Sequence, residues 1–189
     1  MGGLTKSKLI ASNRRYDRVD KWDKYFMDLC DVVASKSQCL SRKIGALIVK
    51  DKSIISTGYN GPPRGIPHCG IDRILSDSFL YEELLRKNNK CDTDTCPRRL
   101  LGYKSGEGLM YCIAAHAERN CLINAARMGV STLNTVLYLN TGVPCKDCLI
   151  ELINAGIVEI VVKEYNFYDE VSKWLIEQSN IRVRKADLD

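Results

Sequence analysis

The chain has 189 residues, 45% of them hydrophobic and 27% charged, the balance of one globular domain long enough to bury a sizeable core. No run of 18 apolar residues is present, which excludes a sequence-evident membrane span. Lysine and arginine outnumber the acids by 28 to 23, a net charge of +5 that suits an anionic ligand.

Residues 1–16 are polar and basic and read as an N-terminal arm. Met1 to Asp20 lacks the apolar stretch of a secretory leader, so a cytoplasmic place is expected. The remainder, 17–189, reads as a single domain. From Arg18 to Ser35, apolar residues at Val19, Trp22, Phe26, Leu29, Val32 and Val33 repeat with a helical period. Cys30 falls among them as a small buried hydrophobe. Ile44–Val49 and Ser53–Tyr59 read as two strands joined by a turn at Asp51-Lys52, and Asn60-Gly61-Pro62-Pro63 ends the hairpin.

Residues 61–112 form a Cys-rich insertion with one helical run, Ile74–Lys87. A stretch this long needs its own organiser, and a second metal is a reasonable one. Nine cysteines without a secretory leader read as metal ligands or free thiols before disulfides. After the insertion come a helix at Ala115–Met128, a strand at Thr135–Leu139 and a helix at Cys145–Ala155. A strand at Val158–Lys163, a helix at Asp169–Gln178 and a strand at Ile181–Arg184 follow. Val171, Trp174 and Leu175 mark the apolar side of the last helix. This alternation implies parallel pairings with right-handed crossovers, and the opening hairpin adds antiparallel ones. The expected architecture is α/β, a three-layer α/β/α sandwich around a mixed five-stranded sheet.

Two short stretches carry chemistry. His116-Ala117-Glu118 opens one helix and Pro144-Cys145-Lys146-Asp147-Cys148 opens another. Together they offer one nitrogen and two sulfurs, a donor set that zinc favours, and three protein ligands leave a fourth position for water. Cys145 and Cys148, three apart, share a helix face, and a helix start favours the thiolate that a metal needs. Glu118 is the spare carboxylate. A closed structural zinc would have no need of it, whereas H-x-E followed by P-C-x-x-C is the signature of zinc nucleobase deaminases.

These residues resemble the cytidine deaminase superfamily and, within it, the deoxycytidylate (dCMP) deaminase branch. The resemblance spans roughly Trp22 to Val183. It is carried by CLSRKIGALIV (39–49), IISTGYNGPPRGIPHC (54–69), SGE (105–107), HAERN (116–120) and PCKDC (144–148). Cys121-Leu122 departs conservatively from the Ala-Ile common in that branch. The resemblance implies zinc-dependent hydrolysis of dCMP to dUMP and ammonia, supplying dUMP for thymidylate synthesis. His116, Cys145 and Cys148 would be the metal ligands. Zinc would acidify a water, and Glu118 would carry its proton to N3 of cytosine and a second proton to the departing amino group. Asn60, Arg42, Lys43 and Ala117 are the candidate substrate contacts. Asn60 could instead be a turn residue, and Arg42-Lys43 a surface charge pair. Cys39, Cys69, Cys96 and Cys112 are the candidate ligands of a second, structural zinc. Cys91 or His68 could replace one of them, or all could be scattered reduced thiols. A homohexamer, activation by dCTP, inhibition by dTTP, and Mg2+ accompanying either effector are further implications of the resemblance.

Three rivals stay open. A tRNA adenosine deaminase should show a basic helical face, and no alternation of aromatic and basic residues suggests a nucleic-acid groove. A cytidine or dCTP deaminase would differ only in the pocket. A catalytically silent, zinc-organised binding module would not need Glu118.

Overall fold

The computed structural model describes residues 22–87 and 94–188. The arm at 1–16, the helix start at Arg18 and Cys91 lie outside them. Helix α1 (Trp22–Ala34) leads into a hairpin of β1 (Gly45–Lys50) and β2 (Ser53–Tyr59). Both turn residues, Asp51 and Lys52, adopt positive φ, the geometry that lets a two-residue turn match strand twist. Next come three short helices, α2 (Ile71–Ser76), α3 (Ser78–Arg86) and α4 (Pro97–Leu100). The chain continues through α5 (Ala117–Arg127), β3 (Thr135–Leu139), α6 (Lys146–Asn154), β4 (Ile157–Val162), α7 (Glu170–Gln178) and β5 (Arg182–Lys185).

The five strands form one mixed sheet in the order β2-β1-β3-β4-β5. β1 pairs antiparallel with both β2 and β3, while β3, β4 and β5 run parallel. The expected architecture is therefore what the chain adopts. Alternation along each strand builds two cores. Ala46, Ile48, Leu137, Leu139, Ile160 and Val162 face α5, α6 and α7; Leu47, Val49, Tyr138 and Val161 face α1. Cys30, on the sheet-facing side of α1, is fully buried, as expected. A third apolar cluster of Ile74, Leu80, Leu84, Leu101 and Tyr111 lies within 61–112.

Several expectations need correction. The run Ile74–Lys87 is two helices with a break at Asp77. The Asp77 carboxylate accepts from the Leu80 N–H at 3.0 Å to cap α3 and pairs with Arg73, so an acid favoured at helix starts divides the run. On α7, Val171 and Trp174 are exposed, while Leu175 and Ile176 pack on the core and Ser172 is fully buried. The sheet is met by the Ser172-Leu175-Ile176 face, which a buried hydroxyl concealed. No helix among the described residues is long and apolar enough to cross a membrane.

Candidate metal centre and active site

His116 and Cys145 are not within the first turns of their helices. Each is the residue just before the helix, with an extended ψ of 156° and 162°. The cause upstream of His116 is a bridge between Gly61 and Ala115, whose backbones exchange hydrogen bonds of 3.1 and 2.8 Å. The strand-like segment therefore runs straight into α5. Cys112 precedes it at the end of a 3-10 turn, in extended backbone.

The Pro144-Cys145 turn is held from α7. Asp169 caps α7 by accepting from the Ser172 N–H at 2.7 Å, and its other oxygen accepts from the Lys146 N–H at 3.0 Å. The Ser172 hydroxyl donates to the Pro144 carbonyl at 3.1 Å. One carboxylate thus serves two helix starts, a role that the sequence reading of Asp169 as a helix start did not contain.

The two helix starts converge. The ligand atoms of His116, Cys145 and Cys148 all lie within 4.8 Å of one another, the one such group among the described residues. The Nδ1 of His116 is the atom presented, 3.2 Å from the Cys148 sulfur and 3.5 Å from that of Cys145. Hydrogen bonds from Cys148 and His116 push the Cys145 thiol down to about 4, the direction that favours the thiolate a metal needs. Contact with Cys145 raises His116, and Cys145 together with burial raises Cys148. One imidazole nitrogen and two sulfurs this close fit a zinc ion. Glu118, two residues beyond His116, lies within electrostatic reach of all three and is only 5% exposed. Burial lifts its carboxyl above the ordinary range, so it is suited to hold a proton as well as to take one.

Ala117 is fully buried in the first turn of α5. Asn60 is buried and its amide is engaged: Oδ1 accepts from the Ile44 N–H and the Ser37 hydroxyl, both at 2.8 Å, and Nδ2 donates to the Arg42 carbonyl at 2.9 Å. It does not adopt the left-handed backbone of a turn asparagine. Its side chain holds the 37–44 loop beside the Gly61–Ala115 bridge. Arg42 and Lys43 on that loop are exposed. A cleft of about 460 Å3 opens there, lined by Lys36, Cys39, Lys43, His68 and Cys69 among others.

Cys69 is raised to about 11, first by burial and then by the proximity of Cys96, Cys39 and Cys112. Those four thiols therefore occupy one region, though they do not close to the spacing of the His116 group. Cys96 is buried, Cys39 and Cys69 half-buried, and Cys112 exposed.

The comparisons with known proteins agree with this geometry. Residues 20–164 match the family model "Cytidine and deoxycytidylate deaminase zinc-binding region". The chain is 30% identical over 182 residues to a deoxycytidylate deaminase of Schizosaccharomyces pombe, covering 96% of this chain and 48% of that protein. It is 32% identical over 145 residues to a deoxycytidylate deaminase of Mycobacterium phage D29, covering 74% of this chain and 92% of the relative. The chain thus spans about half the length of the fission yeast relative and nearly all of the phage one. In fold it is similar to a cyanophage S-TIM5 dCMP deaminase crystallised with dCMP and dUMP. The TM-score is 0.61 and the identity 21%, over 88% of this chain and 97% of that one. A buried glutamate beside a His-Cys-Cys group, on this fold and within this match, places the chain in the cytidine and deoxycytidylate deaminase zinc-binding family.

Proposed function

We propose that the chain catalyses hydrolytic deamination of dCMP to dUMP and ammonia. The observation that carries the reaction type is Glu118, buried and within electrostatic reach of His116, Cys145 and Cys148. The substrate is supported by the relatives named deoxycytidylate deaminase and by the dCMP and dUMP bound to the cyanophage protein.

His116, Cys145 and Cys148 would hold the zinc, which supplies Lewis acidity that brings the pKa of a coordinated water to roughly 7. Glu118 then moves protons. It takes one from the attacking water and delivers it to N3 of the ring as the C4–O bond forms. It takes the second and delivers it to the C4 amino group, so that the C4–N bond breaks and ammonia leaves. Its burial keeps solvent from intercepting either transfer. Asn60 fixes the loop at the mouth, Ala117 lines the start of α5, and Arg42 and Lys43 supply charge for the phosphate. Cys39, Cys69, Cys96 and Cys112 hold a second, structural zinc that ties the 61–112 insertion to the loop at 37–44; their convergence around Cys69 supports this. A cytoplasmic homohexamer responsive to dCTP and dTTP, either with Mg2+, completes the proposal by family likeness alone.

The test is ammonia release by zinc-loaded protein, comparing dCMP with CMP, dCTP, deoxycytidine and an adenosine-containing tRNA stem-loop. A clear preference for dCMP supports the proposal. Turnover of the RNA alone would overturn it, as would inertness toward every substrate by protein shown to hold zinc.

A further inference from the structure

Arg119 lies three residues beyond His116, and Glu151 three beyond Cys148. Residues three apart share a helix face, so each stands one turn above a metal-ligand residue on the same seam. There the two side chains meet. Arg119 Nε donates to Glu151 Oε2 at 3.0 Å, and its terminal nitrogen lies 2.7 Å from Oε1. This is a two-pronged guanidinium–carboxylate pair, the arrangement that fixes orientation as well as distance. It joins α5, which follows His116, to α6, which carries Cys148 and follows Cys145.

The pair adds little to stability. The two side chains are 39% and 43% exposed, and solvent screening leaves such pairs only a small share in stability. What it supplies is geometry. A three-ligand centre built from two helices is only as well formed as the spacing between them, and productive constellations tolerate about 0.5 Å of error. We propose that the Arg119–Glu151 pair is a positioning clamp for the metal centre, setting how closely His116 approaches Cys145 and Cys148. Arg119 also lies within electrostatic reach of both sulfurs, so its charge offsets theirs. The inference rests on those three residues binding zinc.

The experiment separates fork geometry from charge. Arg119→Lys keeps the charge and loses the fork; Glu151→Ala removes the partner. The number of zinc ions bound and the affinity of each are measured by competition with a chromogenic chelator for wild type, both single variants, the double variant and His116→Ala, alongside the melting temperature of each zinc-free protein. Partners just outside a metal's ligands typically contribute 10–100-fold to affinity. The expected result is a loss of about tenfold or more in each single variant, a double variant no weaker than the weaker single, and zinc-free melting temperatures near wild type. Unchanged affinity in both singles would overturn the clamp. So would losses that add independently in the double variant, or losses matched by a general fall in zinc-free stability. If His116→Ala binds as many zinc ions as wild type, and as tightly, the metal reading itself fails. If only that variant loses zinc, the clamp alone fails.

Discussion

Gly58 of β2 lies directly beneath Ala117 of α5, with no room between them for a side chain. A Cβ at Gly58 would overlap the Ala117 carbonyl oxygen and the Cys121 amide nitrogen and stand 3.0 Å from the Asn120 carbonyl carbon. Around this contact, Asn120 and Asn124 donate to the carbonyls of Tyr59 and Thr57 at 2.7 and 2.8 Å, and the Ser56 hydroxyl donates to the Cys121 carbonyl at 2.7 Å. The helix that bears Glu118 is therefore stitched to an edge strand at backbone distance. Gly58→Ala meets backbone rather than a flexible side chain, and overpacking of this kind costs about 1–3 kcal/mol. We expect a lower melting temperature and weaker zinc binding, read by thermal unfolding and chelator competition. Wild-type values for both would show that α5 can yield freely.

Zinc content tests the Cys-rich insertion. Elemental analysis of protein purified without chelator should give two zinc atoms per chain. Cys69→Ser, in the residue flanked by the other three thiols, should leave one, with the His116 centre intact. One zinc in the wild type would dismiss the second site.

Arg42 offers a clean test of phosphate recognition, because its side chain is exposed while its carbonyl does the structural work of receiving Asn60. Arg42→Glu should raise KM for dCMP about tenfold, the scale of one charge-assisted hydrogen bond, and change kcat little. An unchanged KM would remove Arg42 from the site.

Asp23 on α1 predicts a pH effect away from the site. Burial alone would raise its carboxyl, but hydrogen bonds from Arg184, the Asp187 N–H and the Tyr138 hydroxyl outweigh it and hold the carboxyl low. The folded pKa thus lies below the unfolded value near 3.8. This contribution to stability is fully present above pH 4–5 and is lost as pH falls through the depressed folded value. Asp23→Asn should therefore melt below wild type from pH 5 to 7, and the gap should narrow below pH 4. A gap independent of pH would show that the carboxylate charge is not what stabilises the link between α1 and β5.

The contrast between what the sequence showed and what it hid has a simple physical basis. His116, Glu118, Cys145 and Cys148 were legible because each pair sits within one local motif, and helix-start chemistry brings their residue types together. The parallel run β3-β4-β5 was legible from alternating strand and helix. The antiparallel contact of β1 with β3 was not, since no short-range pattern records which edge of a hairpin joins a distant strand. His116 lies one residue before its helix because Gly61 and Ala115 bridge across 53 intervening positions, and that pairing is invisible locally. The α7 face was misread because Trp174 is apolar yet solvent-facing, while Ser172 is buried by its bond to Pro144. Arg119 and Glu151 left a signal in their spacing of three from a ligand, but it acquires meaning only when α5 and α6 are seen side by side.

The most direct test of the account is dCMP turnover by zinc-loaded Glu118→Gln. Glutamine keeps the shape and leaves His116, Cys145 and Cys148 untouched, but it cannot exchange protons. The account predicts one zinc retained at the His116 centre and a fall in kcat of about 100- to 10,000-fold, the usual range for a general acid–base group. Full activity in that variant, with zinc bound, would contradict it.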